Sequence, residues 1–347
     1  MNLILPKIVY GHLNEQENAI KSLIKNRKAF IVVDDNTVKC RENFISSALY
    51  KLPYLVLNEG EKNKSINQVF KIWDFLNLHN ATRKDIVFLL GGGIICDLGA
   101  FAASTYKRGL DFVHIPTSLL AMVDASIGGK TGINFCNLKN NIGTFSHPIK
   151  IFVDVEFLKT LPKKEIFSGM AEVFKHAIIS DQNLWEYLKT KTQNKTDYKF
   201  VIKRSIDLKV EVVKKDIFET NLRKCLNLGH TIGHAIESYL LEKNKPTLHG
   251  FAIAKGLIIE SFIAYKINIL PKEVFLEIKT ILNKFFEGNI NFIINANRIC
   301  EIVKGDKKNT SEKINFTLPQ DIGKVVINKE IDFHKLKSLI TEFIEND

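Results

Sequence analysis

Residues Val87 to Ser104 read VFLLGGGIICDLGAFAAS. A buried strand, three glycines and then a helix is an order that lets backbone N–H groups at a helix N-terminus come close to a pyrophosphate. The common dinucleotide fingerprint GxGxxG is absent, and a tight strand-to-helix turn with no ligand also calls for glycines. Upstream, VVDDN places Asp34 or Asp35 at the end of an earlier strand, where a carboxylate faces the same crevice and suits a ribose hydroxyl.

Outward from this stretch, the chain up to about Asp154 alternates short β-branched runs with amphipathic segments. AFIVVDD, YLVLN, DIVFLLGGG, DFVHIP and IFVD read as strands, and SINQVFKIWDFLNLH carries the helical period. This pattern predicts βαβ units with a parallel sheet. After LKTLPKKE the pattern changes: EIFSGMAEVFKHAIIS, VIKRSIDLKVEVVKKDI, LNLGHTIGHAIESYL and FAIAKGLIIESFIAYKI all read as helices. No repeat or low-complexity linker is visible, so a boundary near Leu161 and Pro162 joins two domains expected to pack on each other, with ligand sites favoured in the cleft.

With 347 residues, 45% of them hydrophobic and 25% charged, the chain is globular and longer than one core usually supports. The net charge of +11 invites a nucleic-acid reading. However, the lysines are scattered and rarely cluster with aromatics, so they read as a solvated surface whose field concentrates anionic small molecules. Cys40, Cys96, Cys136, Cys225 and Cys300 form no CxxC pair, which argues against a disulfide scaffold and fits a reducing cytoplasm. No apolar run approaches the roughly 18 residues that a spanning helix needs, so no membrane partner is expected.

Two further stretches carry chemistry. In VDASIGGKTGINFCNLKNNIG, Asp124, Lys130, Lys139 and Asn140 surround a glycine pair; the lysines read as loop residues, and solvated loop lysines are an equally good account. If Arg223 to Leu240 is one helix, Arg223, Asn227, His230 and His234 form a polar stripe whose burial demands a ligand. Glu172 and Lys175 in GMAEVFKHA and His249 in TLHGFAIAKG lie elsewhere. From spacing alone, His230 and His234 are the first candidates for metal ligands and Glu172 a further one.

Seven ordered motifs, GGGIICD, IPTSLLAMVDASIGGKTGIN, LKNNIG, LKTLP, SGMAEVFKHAII, LNLGHTIGHAIE and LHGFAIAKG, resemble the 3-dehydroquinate synthase family, in a match that runs in order from about Asp34 to Lys308. The resemblance implies a Rossmann-like, parallel-sheet α/β domain over 1–160 that binds NAD. It also implies a mostly α-helical, metal- and substrate-binding domain over 161–347, in a cytoplasmic homodimer. It assigns a divalent metal, zinc or cobalt, to Glu172, His230 and His249, and so gives His234 to the substrate instead of the metal. NAD contacts carry over to Asp34, Asn36, Glu61, Lys64, Gly92, Gly93, Ile94, Asp97, Thr117, Ser118 and Lys139, and to Phe157, Leu158, Lys159 and Thr160. Contacts to a sugar-phosphate substrate carry over to Asp124, Lys130, Asn140, Lys175, Lys209, Arg223, Asn227 and His234. Arg108 is expected to reach the phosphate across the dimer interface, and Lys307 or Lys308 to approach it as well.

The implied reaction converts 3-deoxy-D-arabino-heptulosonate 7-phosphate to 3-dehydroquinate by transient oxidation, phosphate β-elimination, re-reduction, ring opening and aldol closure. Three departures stand out. Cys96 replaces the last glycine of GGGxxGD, Ser118 replaces a second threonine after Thr117, and Asn221 replaces a glycine two residues before Arg223, where asparagine tolerates positive φ. A metal-dependent polyol dehydrogenase and other sugar-phosphate cyclases are the rival readings. The set Lys139, Asn140, Arg223, Asn227 and His234 favours dehydroquinate formation.

Overall fold

The computed structural model of the chain describes residues 5–40, 47–136, 138–191, 195–305 and 313–346. It divides into two units, 1–166 and 167–347.

The first unit is built on β1 (Lys7–Tyr10), α1 (Glu17–Ile24), β2 (Ala29–Asp34), β3 (Tyr54–Leu57), α2 (Ile66–Leu78), β4 (Ile86–Gly91), α3 (Ala100–Thr105), β5 (Asp111–Pro116), β6 (Lys130–Phe135), β7 (Leu138–Phe145) and β8 (Lys150–Val153). Six strands form one parallel sheet in the order β1-β8-β5-β4-β2-β3. The inner strands β2 and β4 are buried at every position because helices cover both faces, which is why their sequences are unbroken apolar runs. Val69, Ile72 and Leu76 of α2 pack with Val32, Val87 and Leu89 in one apolar core. From β2 the chain crosses to β3 on one side and from β4 to β5 on the other, so the strand order reverses where β2 and β4 lie side by side. Ligands in open parallel sheets bind beyond the strand C-termini at such a switch.

All five sheet strands and the α2 helix expected from the sequence are present. The edge strand β1 was not expected, and neither was the antiparallel hairpin β6–β7. Lys130 opens β6 and Lys139 lies within β7, so both are strand residues and not loop residues. The hairpin conceals itself because its glycines serve strand contact: a Cβ at Gly143 would stand 2.0 Å from the Thr131 carbonyl oxygen. The glycine pair of this stretch also has a local cause, since Gly128 and Gly129 take φ of 105° and 68°.

The second unit carries most of α4 (Lys163–Ser180), then α5 (Gln182–Lys189), α6 (Tyr198–Lys215), α7 (His230–Glu242), α8 (His249–Lys266), α9 (Lys272–Phe285), α10 (Ala296–Lys304), the hairpin β9 (Lys313–Asp321) and β10 (Lys324–Asp332), and α11 (Phe333–Asn346). Here α8 is buried at every position from Gly250 to Ala264. No helix among the described residues is long and apolar enough to cross a membrane.

One expectation fails here. Residues 223 to 240 are not one helix: a 3-10 turn spans Leu222–Asn227, Gly229 turns left-handed at φ 78°, and α7 starts afresh at His230. Arg223 and Asn227 therefore precede the helix that carries the histidines, and no continuous stripe joins them. The physical reason is Gly229, whose left-handed backbone ends one helical direction and begins another.

Candidate active site

On the first unit, the chain leaves β4 through Gly92 and is helical from Gly93 to Thr105, with a wide π-type turn over Ile95–Gly99. Such turns recur at functional sites because they displace side chains from the helical register. Cys96 is buried within this turn, so the loop accommodates the departure noted above. The helix packs tightly on the sheet, since a Cβ at Gly99 would lie 2.6 Å from Leu89 Cδ2. A second π-type turn, Ala121–Ala125, follows β5. Each wide turn carries one aspartate, Asp97 in the first and Asp124 in the second.

Asp34 ends β2 beside this glycine loop, buried, with its Oδ1 accepting from the Thr37 N–H (2.8 Å) and hydroxyl (2.7 Å). Thr37 in turn donates to the Leu90 carbonyl of β4 at 3.2 Å, tying the two strand ends together. Asn36 is exposed in the same turn. Lys64 is buried and its ammonium bridges Asp97 Oδ2 (2.5 Å) and the Asn140 carboxamide. The Asn140 N–H donates to Asn134 Oδ1 at 2.9 Å, and Asn134 donates to Glu61 Oε1 at 2.8 Å. Glu61, Lys64, Asp97 and Asn140 thus belong to one network, and Asn134, which sequence reasoning passed over, is its connector. Thr117 is buried and Ser118 accepts from the Ala121 N–H at 3.3 Å. Phe157 and Leu158 are buried in the 3-10 turn after β8, Lys159 pairs with Glu156 at 2.5 Å, and Thr160 donates to the Phe157 carbonyl at 3.3 Å.

On the second unit, Glu172 of α4, His230 at the start of α7 and His249 at the start of α8 converge. Glu172 Oε1 lies 3.6 Å from His230 Nε2 and 3.7 Å from His249 Nε2, and it is buried with no hydrogen-bond partner among the described residues. Lys175 ion-pairs with the other oxygen, Oε2. Burial pushes Glu172 up, but the Lys175 charge and the neighbouring histidines outweigh it and hold the carboxyl well below its usual range. His230 donates Nδ1–H to the Leu228 carbonyl at 3.0 Å, and His249 donates Nδ1–H to Glu237 Oε2 at 3.3 Å. Both rings therefore turn Nε2 toward the same carboxylate oxygen. Burial and the Lys175 charge hold His230 well below its ordinary value, whereas Glu172 and Glu237 raise His249 to about 9 against the pull of burial.

A carboxylate oxygen and two imidazole nitrogens beyond hydrogen-bond reach of one another are a donor set that fits a divalent cation between them. His234, exposed one turn further along α7, brings a third ring within reach: one nitrogen each of His230, His234 and His249 lies within 4.8 Å of the others. His230 and His249 are common to both sets. Glu172 and His234 are the alternatives for the third position, and Glu172 is the one whose buried oxygen requires a partner.

Around these groups, Lys175, Lys209 and Arg223 are buried. Arg223 donates Nη1–H to the Ile217 carbonyl at 2.5 Å, and Asn227 donates to Glu219 Oε1 at 2.8 Å. Asn221 has φ of −145°, so this position needs no glycine; the left-handed residue of the loop is Glu219, at 58°. Asp216 organises the loop by accepting from the N–H groups of Thr220 (3.0 Å), Asn221 (2.8 Å) and Arg223 (3.0 Å). Burial pushes Asp216 up, but these donors outweigh it and hold the carboxyl at about 2. A depressed folded-state value contributes stability that is present above the unfolded value, about 4, and is lost as pH falls through about 2. Asp216→Asn is accordingly expected to lower the unfolding free energy most at neutral pH, with the gap to wild type closing between about pH 4 and 2. Denaturant titrations across that range check it, and a gap independent of pH would exclude the role.

Arg108 is exposed on the first unit, and it and Lys107 are consecutive left-handed residues at φ of 68° and 47°. Lys307 and Lys308 lie outside the described residues.

Residues 54–168 match the family described as 3-dehydroquinate synthase N-terminal, and residues 169–309 the family described as 3-dehydroquinate synthase C-terminal. The chain is 37% identical to the 3-dehydroquinate synthase of Parabacteroides distasonis over 334 residues, 95% of each chain. Its fold is similar to that of 2-epi-5-epi-valiolone synthase from Streptomyces hygroscopicus, solved with NAD+ and Zn2+ (TM-score 0.86, 23% identity, 100% of this chain and 99% of that one). It is also similar to that of 2-deoxy-scyllo-inosose synthase, solved with carbaglucose-6-phosphate, NAD+ and Co2+ (TM-score 0.84, 24% identity, 96% of each).

Proposed function

The chain belongs to the 3-dehydroquinate synthase family, and from that premise we propose how its residues convert 3-deoxy-D-arabino-heptulosonate 7-phosphate to 3-dehydroquinate and phosphate. The observation that carries the reading is the buried Glu172 oxygen facing His230 Nε2 and His249 Nε2. These three residues hold a divalent ion, zinc or cobalt, and His234 is left to the substrate. When bound, NAD supplies a reversible hydride acceptor and the ion a Lewis acid for the substrate hydroxyls.

The glycine turn after β4, with Gly92, Gly93 and Ile94, receives the pyrophosphate, and the network of Glu61, Lys64 and Asp97 borders it. Asp34, Asn36, Thr117, Ser118, Lys139 and the stretch Phe157 to Thr160 complete the nucleotide contacts. Lys130, Lys175, Lys209 and Arg223 offset the phosphate and carboxylate charge of the substrate. Asp124, Asn140, Asn227 and His234 hydrogen-bond its hydroxyls and keep the open-chain form in a reactive conformation. Asn140 suits that task because Lys64 and Asn134 fix both its side chain and its backbone. The enzyme is a carbon-oxygen lyase, since phosphate leaves by β-elimination from the transiently oxidised ring. It works as a cytoplasmic homodimer, with Arg108 serving the partner's substrate. Two successive left-handed residues are a strained way to present a side chain, and such strain gathers where function requires it.

Incubation with the heptulosonate phosphate, NAD and zinc or cobalt tests the reading. One phosphate is expected per carbocycle formed, with no accumulation of NADH, because the hydride returns before product leaves. Stoichiometric NADH would move the protein to the dehydrogenase class.

A further inference from the structure

Each ligand histidine opens its own helix, His230 in α7 and His249 in α8. A glutamate of each helix reaches the start of the other. Glu237 of α7 accepts the Nδ1–H of His249 at 3.3 Å. Glu260 of α8, fully buried, accepts the N–H of Gly229 at 2.6 Å and that of Ile232 at 3.0 Å. Gly229 has no side chain with which to cap α7, so Glu260 satisfies amide groups that the helix start leaves unpaired. The consequence reaches the imidazole in two steps. Glu260 fixes the peptide that contains the Leu228 carbonyl and the Gly229 N–H, and that carbonyl is the acceptor for His230 Nδ1–H.

We propose that Glu237 and Glu260 are positioning residues of the metal centre, a reciprocal pair of braces that sets the two imidazoles in their ligating orientation before an ion arrives. This rests on Glu172, His230 and His249 being the ligands. Close backbone packing supports it: a Cβ at Gly256 of α8 would stand 2.1 Å from the Gly229 carbonyl oxygen, so the two helices cannot slide to compensate for a lost brace. An outer-shell partner of this type is worth roughly 10- to 100-fold in metal affinity.

The test uses the full-length protein, with Glu237→Gln and Glu260→Gln, both of which keep shape while exchanging an accepting carboxyl oxygen for an N–H donor. Zinc affinity is measured by chelator competition, the visible absorption of the cobalt(II) form reports ligand geometry, and NAD affinity serves as the control. Each variant is expected to bind zinc roughly 10- to 100-fold more weakly and to show a shifted cobalt spectrum, with NAD affinity unchanged. A folded variant with wild-type zinc affinity and cobalt spectrum overturns its half of the proposal. Failure of Glu260→Gln to fold at all does the same for that half, because it assigns Glu260 to the scaffold, while Glu237→Gln still tests the other. His230→Ala and His249→Ala, run alongside, separate the two levels: metal retained in both would sink the ligand set itself, whereas metal lost in both with unchanged glutamate variants would sink only the braces.

Discussion

His230→Ala and His249→Ala are each expected to purify nearly free of metal, and His234→Ala to keep it close to stoichiometric while losing most activity. Removing one of three protein ligands leaves an incomplete shell, and the remaining buried Glu172 oxygen cannot hold an ion with a single histidine. His234 is exposed on α7, one turn beyond His230, and its loss leaves the shell whole. Removing a polar group aimed at the reacting substrate typically reduces kcat by about 10²- to 10³-fold. Metal content of these three variants and of Glu172→Ala decides between the two possible third ligands. Metal lost from the His234 variant and kept by the Glu172→Ala variant would give the site to three histidines and remove Glu172 from it.

Gly250→Ala, beside His249 in the chain, should damage the same centre without replacing a ligand. A Cβ there would stand 1.8 Å from the Ser168 carbonyl oxygen and 2.5 Å from its carbon. The obstacle is backbone in a helix, so no rotamer change relieves it, and α4 and α8 must move apart. The Gly250 N–H also donates to Ser168 Oγ at 3.0 Å, a link between the helix of Glu172 and that of His249. Overpacking against backbone here is expected to destabilise the protein by roughly 3 kcal/mol or more and to weaken metal retention with it. Gly305→Ala is the control, because its nearest neighbour would be at an ordinary 3.5 Å. Equal unfolding midpoints for the two variants would refute the steric argument.

What the sequence reveals follows from where the causes lie. Strands β2 and β4 are legible because burial on both faces leaves an unbroken apolar run, and α2 because one face alone is buried. The hairpin β6–β7 is not, since the glycines and lysines that read as loop serve cross-strand contact instead. The proposed ligand set comes from the resemblance: spacing favours His230 with His234, because a sequence displays neighbours along a helix and not the carboxylate that another helix brings alongside. The break at Gly229 is a single left-handed residue, and nothing in the periodicity around it marks the change of direction. Glu237, Glu260 and Asp216 escaped notice for a common reason. Their partners are mainly backbone N–H groups or a ring nitrogen on a separate segment, and backbone groups carry no letter in a sequence.

The complete burial of α8 from Gly250 to Ala264 has a kinetic side. Amides in a helix with no solvent face exchange their hydrogens only when the surrounding unit opens as a whole, whereas the first turn of a helix frays on its own. His249 belongs to that first turn, and the interior of α8 begins directly after it. On the proposed ligand set, loss of an ion from His249 is expected to leave these interior amides exchanging as slowly as before, which hydrogen exchange with and without added zinc measures.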